Sequence, residues 1–159
     1  MSGPRERPVA IQSEAVVART GTLYPEPFAS KVAGRAKRAL GDLFGLGAFG
    51  VNLTRLAPGA CSSMRHAHSH EDEFVFVLEG APTLVTGAGE TELQPGMCAG
   101  FCAGSGDAHH LVNRGDTDAV YLEIGSRHAE DEVQYPDDDL ALRRVDGQVR
   151  YFHKDGQPY

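Results

Sequence analysis

Between residues 50 and 124 the chain is a succession of short apolar segments, each closed by glycine, proline, aspartate or asparagine. Segments so short and so punctuated do not make ordinary helices. Gly50 to Leu56, Phe74 to Glu79, Pro82 to Thr86, Glu90 to Leu93, His109 to Asn113 and Ala119 to Ile124 carry the β-branched and aromatic residues of strands. Strands at this interval predict an all-β sandwich or barrel. Gly87-Ala-Gly-Glu90 reads as a tight hairpin turn and Leu93-Gln-Pro-Gly96 as a β-turn, with proline presetting one dihedral and glycine relieving another. The 159 residues, 41% hydrophobic, suffice for one core and not for two, and there is no internal repeat.

Polar chemistry gathers around these strands. His66 and His68 are one residue apart, so on a strand both face one side while Ala67 faces the other. Glu73 follows after a short polar turn and opens the apolar run Phe74 to Leu78, where a carboxylate needs a partner. His109 comes some forty residues later, four positions before Asn113. Imidazoles with one carboxylate suit Zn, Mn, Fe, Co or Ni, and four protein ligands leave positions open on an octahedral ion. The bland alternative is a solvated strand end, because Arg65 to Glu73 is hydrophilic throughout.

Residues 59–80 (Gly59-Ala-Cys-Ser-Ser-Met-Arg-His66-Ala-His68-Ser-His-Glu-Asp-Glu73-Phe-Val-Phe-Val-Leu-Glu-Gly80) resemble the first motif of the cupin superfamily, and residues 96–113, from Gly96 through Cys102, Gly104 and His109 to Asn113, resemble the second. The resemblance covers roughly residues 48–125 and implies a double-stranded β-helix, or jelly roll, of the small single-domain bacterial kind. It also implies that His66, His68, Glu73 and His109 hold a divalent metal ion (Zn, Mn, Fe or Ni), with Asn113 closing the second motif. The chain departs from the pattern in three places: six rather than five residues precede His66, Cys102 stands where proline is usual, and four rather than two residues separate Gly104 from His109. The longer turn brings Asp107 near the mouth of the site. It also opens a choice between His109 and His110, which face opposite sides of a strand; the spacing to Asn113 favours His109, leaving His110 as a neighbour behind the ligands.

The flanks are read more coarsely. Residues 1–23 form an N-terminal arm that orders against the barrel or a second subunit, residues 24–127 the barrel, and residues 128–159 an acidic stretch, read as a solvated loop or alternatively a lid over the barrel mouth, followed by a final strand. That strand is expected to pair with the N-terminal region or to build a homodimer. Gly34 to Leu40 reads as an edge strand with its basic residues outward, or equally as a short helix. Lys31, Arg35 and Lys37 become anion contacts only if this segment crosses the mouth, and Arg65 is read as structural. Cys61, Cys98 and Cys102 lack metal-finger spacing and are read as small buried hydrophobes.

Lys+Arg of 15 against Asp+Glu of 22 gives a net charge of −7, which argues against nucleic acid or an anionic membrane surface as partner. No apolar stretch resembles a signal peptide or a membrane span, and a reducing cytoplasm is the expected home. The expected partner is a small oxygen-rich metabolite, turned over by isomerase or lyase chemistry on a sugar-like or hydroxy-acid substrate, and some similar cupins carry a sugar-phosphate isomerase label. Glu123, Tyr121 and His70 are the candidates for general base. Tyr121 and Glu123 share one face of a strand whose inward side parity alone does not identify. Fe(II)-dependent dioxygen chemistry and a non-catalytic binding module use the same ligands and stay open.

Overall fold

The computed structural model describes residues 7–159. A 3₁₀ turn at Ser13–Ala15 and the short helices α1 (Phe28–Lys31) and α2 (Leu40–Leu43) accompany twelve strands. In chain order these are β1 (Arg35–Ala39), β2 (Phe49–Leu56), β3 (Ala67–His68), β4 (Glu73–Glu79), β5 (Thr83–Thr86), β6 (Gly89–Glu92), β7 (Cys98–Phe101), β8 (His110–Val112), β9 (Ala119–Ser126), β10 (Val133–Gln134), β11 (Ala141–Val145) and β12 (Gln148–Phe152). They form antiparallel sheets ordered β1-β2-β9-β4-β7, β12-β11-β10-β3 and β6-β5-β8, so the all-β jelly-roll expectation holds.

Strand parity sorts the five-stranded sheet. Val75 and Val77 of β4, Leu56 of β2 and Tyr121 of β9 face inward and join Leu84, Leu93 and Leu111 in one core. A second core gathers Phe28, Val32 and Met64 with Val133, Tyr135 and Leu140, packing the C-terminal segment onto α1. Glycine matters most at Gly80, which follows β4 with φ of 72°. A Cβ there would lie 2.5 Å from the Asp118 carbonyl oxygen, so only glycine lets the two chains approach.

Four expectations need correction. The segment at residues 34–40 is the edge strand, but its basic residues are not all outward: Arg35 and Lys37 face the interior. The final strand pairs with β11 and not with the N-terminal region. The reason is Asp146-Gly147, whose φ values of 52° and 75° make the tight turn that closes a two-residue hairpin. Cys98 and Cys102 are exposed rather than buried, because β7, a strand without a strong apolar pattern, turns Cys98 to the outer face. Finally, the acidic stretch after Arg127 is not wholly a solvated loop. Val133-Gln134 pairs with Ala67-His68, and this pairing carries Asp131 into the interior at 5% exposure.

Candidate metal centre

Three imidazoles converge on one carboxylate oxygen. His66 and His68 flank Ala67 at β3, His109 pairs across from His66, and Glu73 opens β4. The Oε2 atom of Glu73 lies 3.5 Å from His66 Nε2, 3.5 Å from His68 Nε2 and 2.9 Å from His109 Nε2. The donor atoms of His66, His68 and Glu73 all lie within 4.8 Å of one another.

Each ring is held by its other nitrogen. His66 Nδ1 is 2.9 Å from the Met64 carbonyl and 3.2 Å from Ser63 Oγ. His68 Nδ1 lies 2.7 Å from Asp131 Oδ2, and His109 Nδ1 lies 3.4 Å from the Asp107 carbonyl. A ring that donates from Nδ1 presents a bare lone pair at Nε2, the tautomer a metal needs. Phe101 stacks on His109 with centroids 3.3 Å apart and planes 3° from parallel, which fixes that ring further.

Glu73 Oε2 is buried and no hydrogen bond is directed at it, although His109 Nε2 is close. Burial pushes the Glu73 carboxyl upward, but the surrounding imidazoles outweigh it and hold the group well below the ordinary carboxylate range. For His66 burial disfavours the charged ring, and the Glu73 carboxylate and the Met64 carbonyl reverse the balance and raise it. A carboxylate kept ionised in a half-dry pocket with three imidazole nitrogens around it fits a divalent cation.

The sequence candidates sort by position. His66, His68, Glu73 and His109 come together; His110 points away and is 2.9 Å from the Ser63 carbonyl through Nδ1. Asn113 touches none of the four. It is buried and donates to the Leu56 and Thr117 carbonyls at 2.8 Å each, while its Oδ1 accepts from Gly115 N–H, so it ties the turn before β9. His70 is exposed and stacks on His128 at 4.8 Å, outside the cavity. Arg65 grips Asp137 with two hydrogen bonds of 2.6 and 2.7 Å, the structural role expected of it.

Beside the four residues opens a cavity of about 870 Å³. Glu123 and Tyr121 line it, so their shared face is the inner one. Glu123 Oε1 accepts from Lys37 Nζ at 2.6 Å and from Asn52 Nδ2 at 3.4 Å. Tyr121 is 1% exposed and its hydroxyl has no partner, as is true of Thr54 Oγ1 on the neighbouring strand. Burial, with Glu123 nearby, raises the Tyr121 phenol well above its usual range, so it stays protonated. Arg19, Arg35 and Arg144 also line the space, and Arg19 pairs with Lys37 through both backbone groups, which brings the N-terminal arm across it.

Asp131 is the residue that sequence reading missed. One oxygen takes His68 Nδ1, and the other accepts the His70 and Glu71 N–H groups at 2.9 and 3.2 Å. Nothing in Glu130-Asp131-Glu132 singles it out from its two acidic neighbours, inside a run that looked solvated.

The fold has known relatives. A crystal structure of a cupin-superfamily sugar phosphate isomerase from Silicibacter pomeroyi is 41% identical and superposes with a TM-score of 0.90, covering 94% of this chain and 96% of that one. The chain belongs to the cupin superfamily. The Cupin domain family matches residues 52–125, which span both motifs of this cupin. A proposed sugar phosphate isomerase from Acidithiobacillus ferrooxidans is 33% identical, with a TM-score of 0.71 over 79% of this cupin and 80% of that chain. A polyketide cyclase from Streptomyces resistomycificus, 19% identical with a TM-score of 0.62 over 74% and 78%, shares the fold alone. A search of curated protein sequences finds no match. No helix among the described residues is long and apolar enough to cross a membrane.

Proposed function

We propose that this cupin is a divalent-metal-dependent isomerase that moves a proton between adjacent carbons of a phosphorylated sugar or a similar hydroxy-carbonyl compound. The observation that carries the reading is one cavity lined by both the imidazole and carboxylate cluster and the Glu123 and Tyr121 pair. His66, His68, Glu73 and His109 would hold the ion, which when bound supplies Lewis-acid polarisation of a carbonyl and its neighbouring hydroxyl.

Glu123 is the general base. As a carboxylate it takes the proton from the carbon bearing the hydroxyl and returns it to the former carbonyl carbon, while the hydroxyl proton passes to the former carbonyl oxygen, so the carbon skeleton and redox sum are unchanged. Lys37, 2.6 Å away, orients that carboxylate. The Tyr121 ring forms part of the cavity wall beside Glu123, its hydroxyl buried and protonated. Arg19, Arg35 and Arg144 on the same cavity wall receive the anionic end. The names carried by the Silicibacter and Acidithiobacillus proteins support a sugar phosphate as the substrate class.

The test is proton exchange in D₂O, followed by NMR on a panel of aldose and ketose phosphates with the metal-loaded protein under nitrogen. Deuterium should enter at the carbon next to the carbonyl, and Glu123→Gln should abolish this while metal stoichiometry stays unchanged. Loss of metal together with activity in that variant would remove Glu123 from the role of base. Turnover that requires Fe(II) and oxygen would replace isomerisation with dioxygenase chemistry.

A further inference from the structure

Arg35 is a half-buried cation without a counter-ion. Arg55, Arg65, Arg114, Arg127 and Arg144 each have a carboxylate within 4.0 Å, and Lys37 has Glu123. Among the described residues no carboxylate comes that close to Arg35, in a chain whose net charge is −7. It lines the cavity, where one guanidinium nitrogen donates to the Ser62 carbonyl and sets the fork in place with further N–H groups to offer. A charge drawn partly out of water calls for a partner, and the cavity is where one can arrive.

Two phenols stand beside it. Burial raises the Tyr24 and Tyr151 hydroxyls above their usual range, and the Arg35 charge pulls both the other way, which puts the guanidinium in their company. The two rings are 5.1 Å apart, centroid to centroid, and both line the cavity with Arg35. Neither is sealed as Tyr135 is at 3% exposure, and the contact from the Tyr24 hydroxyl to that of Tyr135 is long, at 3.4 Å. Both protons are therefore available to a stronger acceptor. A planar guanidinium with two phenol donors suits the oxygens of a phosphate dianion.

We propose, resting on the isomerase reading above, that Arg35, Tyr24 and Tyr151 bind the phosphate of the substrate and so select a five- or six-carbon sugar phosphate over a triose phosphate. Strand pairing sets the length. His68, Val133, Leu142 and Tyr151 form one row across β3, β10, β11 and β12. Three strand intervals of about 4.8 Å put Tyr151 roughly 14 Å from His68, and contacts of about 3 Å at each end leave roughly 8 Å for the ligand. Extended at about 1.25 Å per bond, a triose phosphate covers about 6 to 7 Å from sugar oxygen to phosphate oxygen and falls short of one contact, whereas a pentose or hexose phosphate covers about 9 to 11 Å and makes both with some bend. Of the other cations on the wall, Arg144 leans to Glu71, Lys37 is engaged by Glu123 and Arg19 is exposed, which leaves Arg35 as the anchor. All three residues lie outside residues 52–125, so the segments flanking the two motifs supply the choice of substrate.

Calorimetric titration of the metal-loaded chain with ribitol 5-phosphate and with glycerol 3-phosphate reads this subsite apart from turnover, because neither probe has a carbonyl to isomerise. Ribitol 5-phosphate should bind at least about tenfold more tightly. Arg35→Gln should weaken it about ten- to a hundredfold and Tyr151→Phe about three- to tenfold, with metal content unchanged in both. Tyr151→Phe keeps the ring against Tyr24 and so carries the test even if Arg35→Gln does not fold. Ribitol 5-phosphate that fails to bind the wild type, or that binds Tyr151→Phe as tightly as the wild type, would overturn the proposal, and equal affinity for the two probes would overturn the selection by length. Absence of deuterium exchange on every sugar phosphate would instead sink the isomerase reading while these affinities stood. Exchange as fast on triose as on pentose and hexose phosphates would do the opposite, removing the subsite and sparing that reading.

Discussion

Replacing Asp131 by asparagine tests whether the second carboxylate sets the site from behind. The asparagine carbonyl keeps the His70 and Glu71 N–H groups, now bonded at 2.9 and 3.2 Å, so the local turn survives. Its amide nitrogen takes the place of the oxygen 2.7 Å from His68 Nδ1 and must donate. His68 then accepts at Nδ1 and carries its proton at Nε2, the nitrogen facing Glu73. Loss of such a supporting partner costs about ten- to a hundredfold in metal affinity, or roughly 1.4 to 2.7 kcal/mol. Without metal the damage is small: one charge-assisted bond lost, about 1 kcal/mol, which lowers the midpoint of thermal unfolding by about 2 to 4 °C. Asp131→Ala also leaves two N–H groups without their acceptor and should lower it by about 5 to 10 °C. Titration calorimetry with Mn²⁺ or Zn²⁺, beside melts of the metal-free proteins, reads both quantities. Wild-type metal affinity in Asp131→Asn would refute the claim that this contact selects the ligating tautomer of His68.

Tyr121→Phe tests the core, because the hydroxyl it removes is buried without a partner. The melting temperature should hold or rise slightly, and a clear loss of stability would mean the hydroxyl is bonded in solution. Gly80→Ala and Gly59→Ala make a matched pair at φ of 72° and 80°. The second has open space and should cost about 1 kcal/mol, whereas the first drives a Cβ to 2.5 Å from backbone oxygen and should cost about 3 kcal/mol or more by denaturant titration. Equal costs would show that close approach, and not dihedral strain, is the wrong account of Gly80.

How much of this was legible follows from what sequence spacing encodes. The histidines at 66 and 68 share a face through strand parity, and Glu73 announces itself as an acid opening an apolar strand. Asp131 could not be found that way. It reaches His68 only because Val133 pairs with His68 across sixty-five residues, a register that local pattern does not carry. The orientation of β1 was hidden for a related reason. Its sequence, Arg-Ala-Lys-Arg-Ala, has no apolar side to turn inward, and what draws Lys37 in is a carboxylate on β9, with β2 lying between the two strands.

Strand β9 shows why parity misleads at such a place. Its apolar set is Val120, Leu122 and Ile124, and the usual rule turns that set toward the core and leaves Tyr121 and Glu123 to solvent. The structure does the reverse, because the inner face of β9 is the wall of a polar cavity, where Glu123 meets Lys37. The aliphatic set is thereby displaced to the outside, alongside Phe74 and Phe76 of β4 and Val51 and Leu53 of β2. A sheet arranged this way loses hydrophobic stabilisation unless something else covers the displaced residues. The polarity of the cavity and the apolar exterior are thus two consequences of one choice of register.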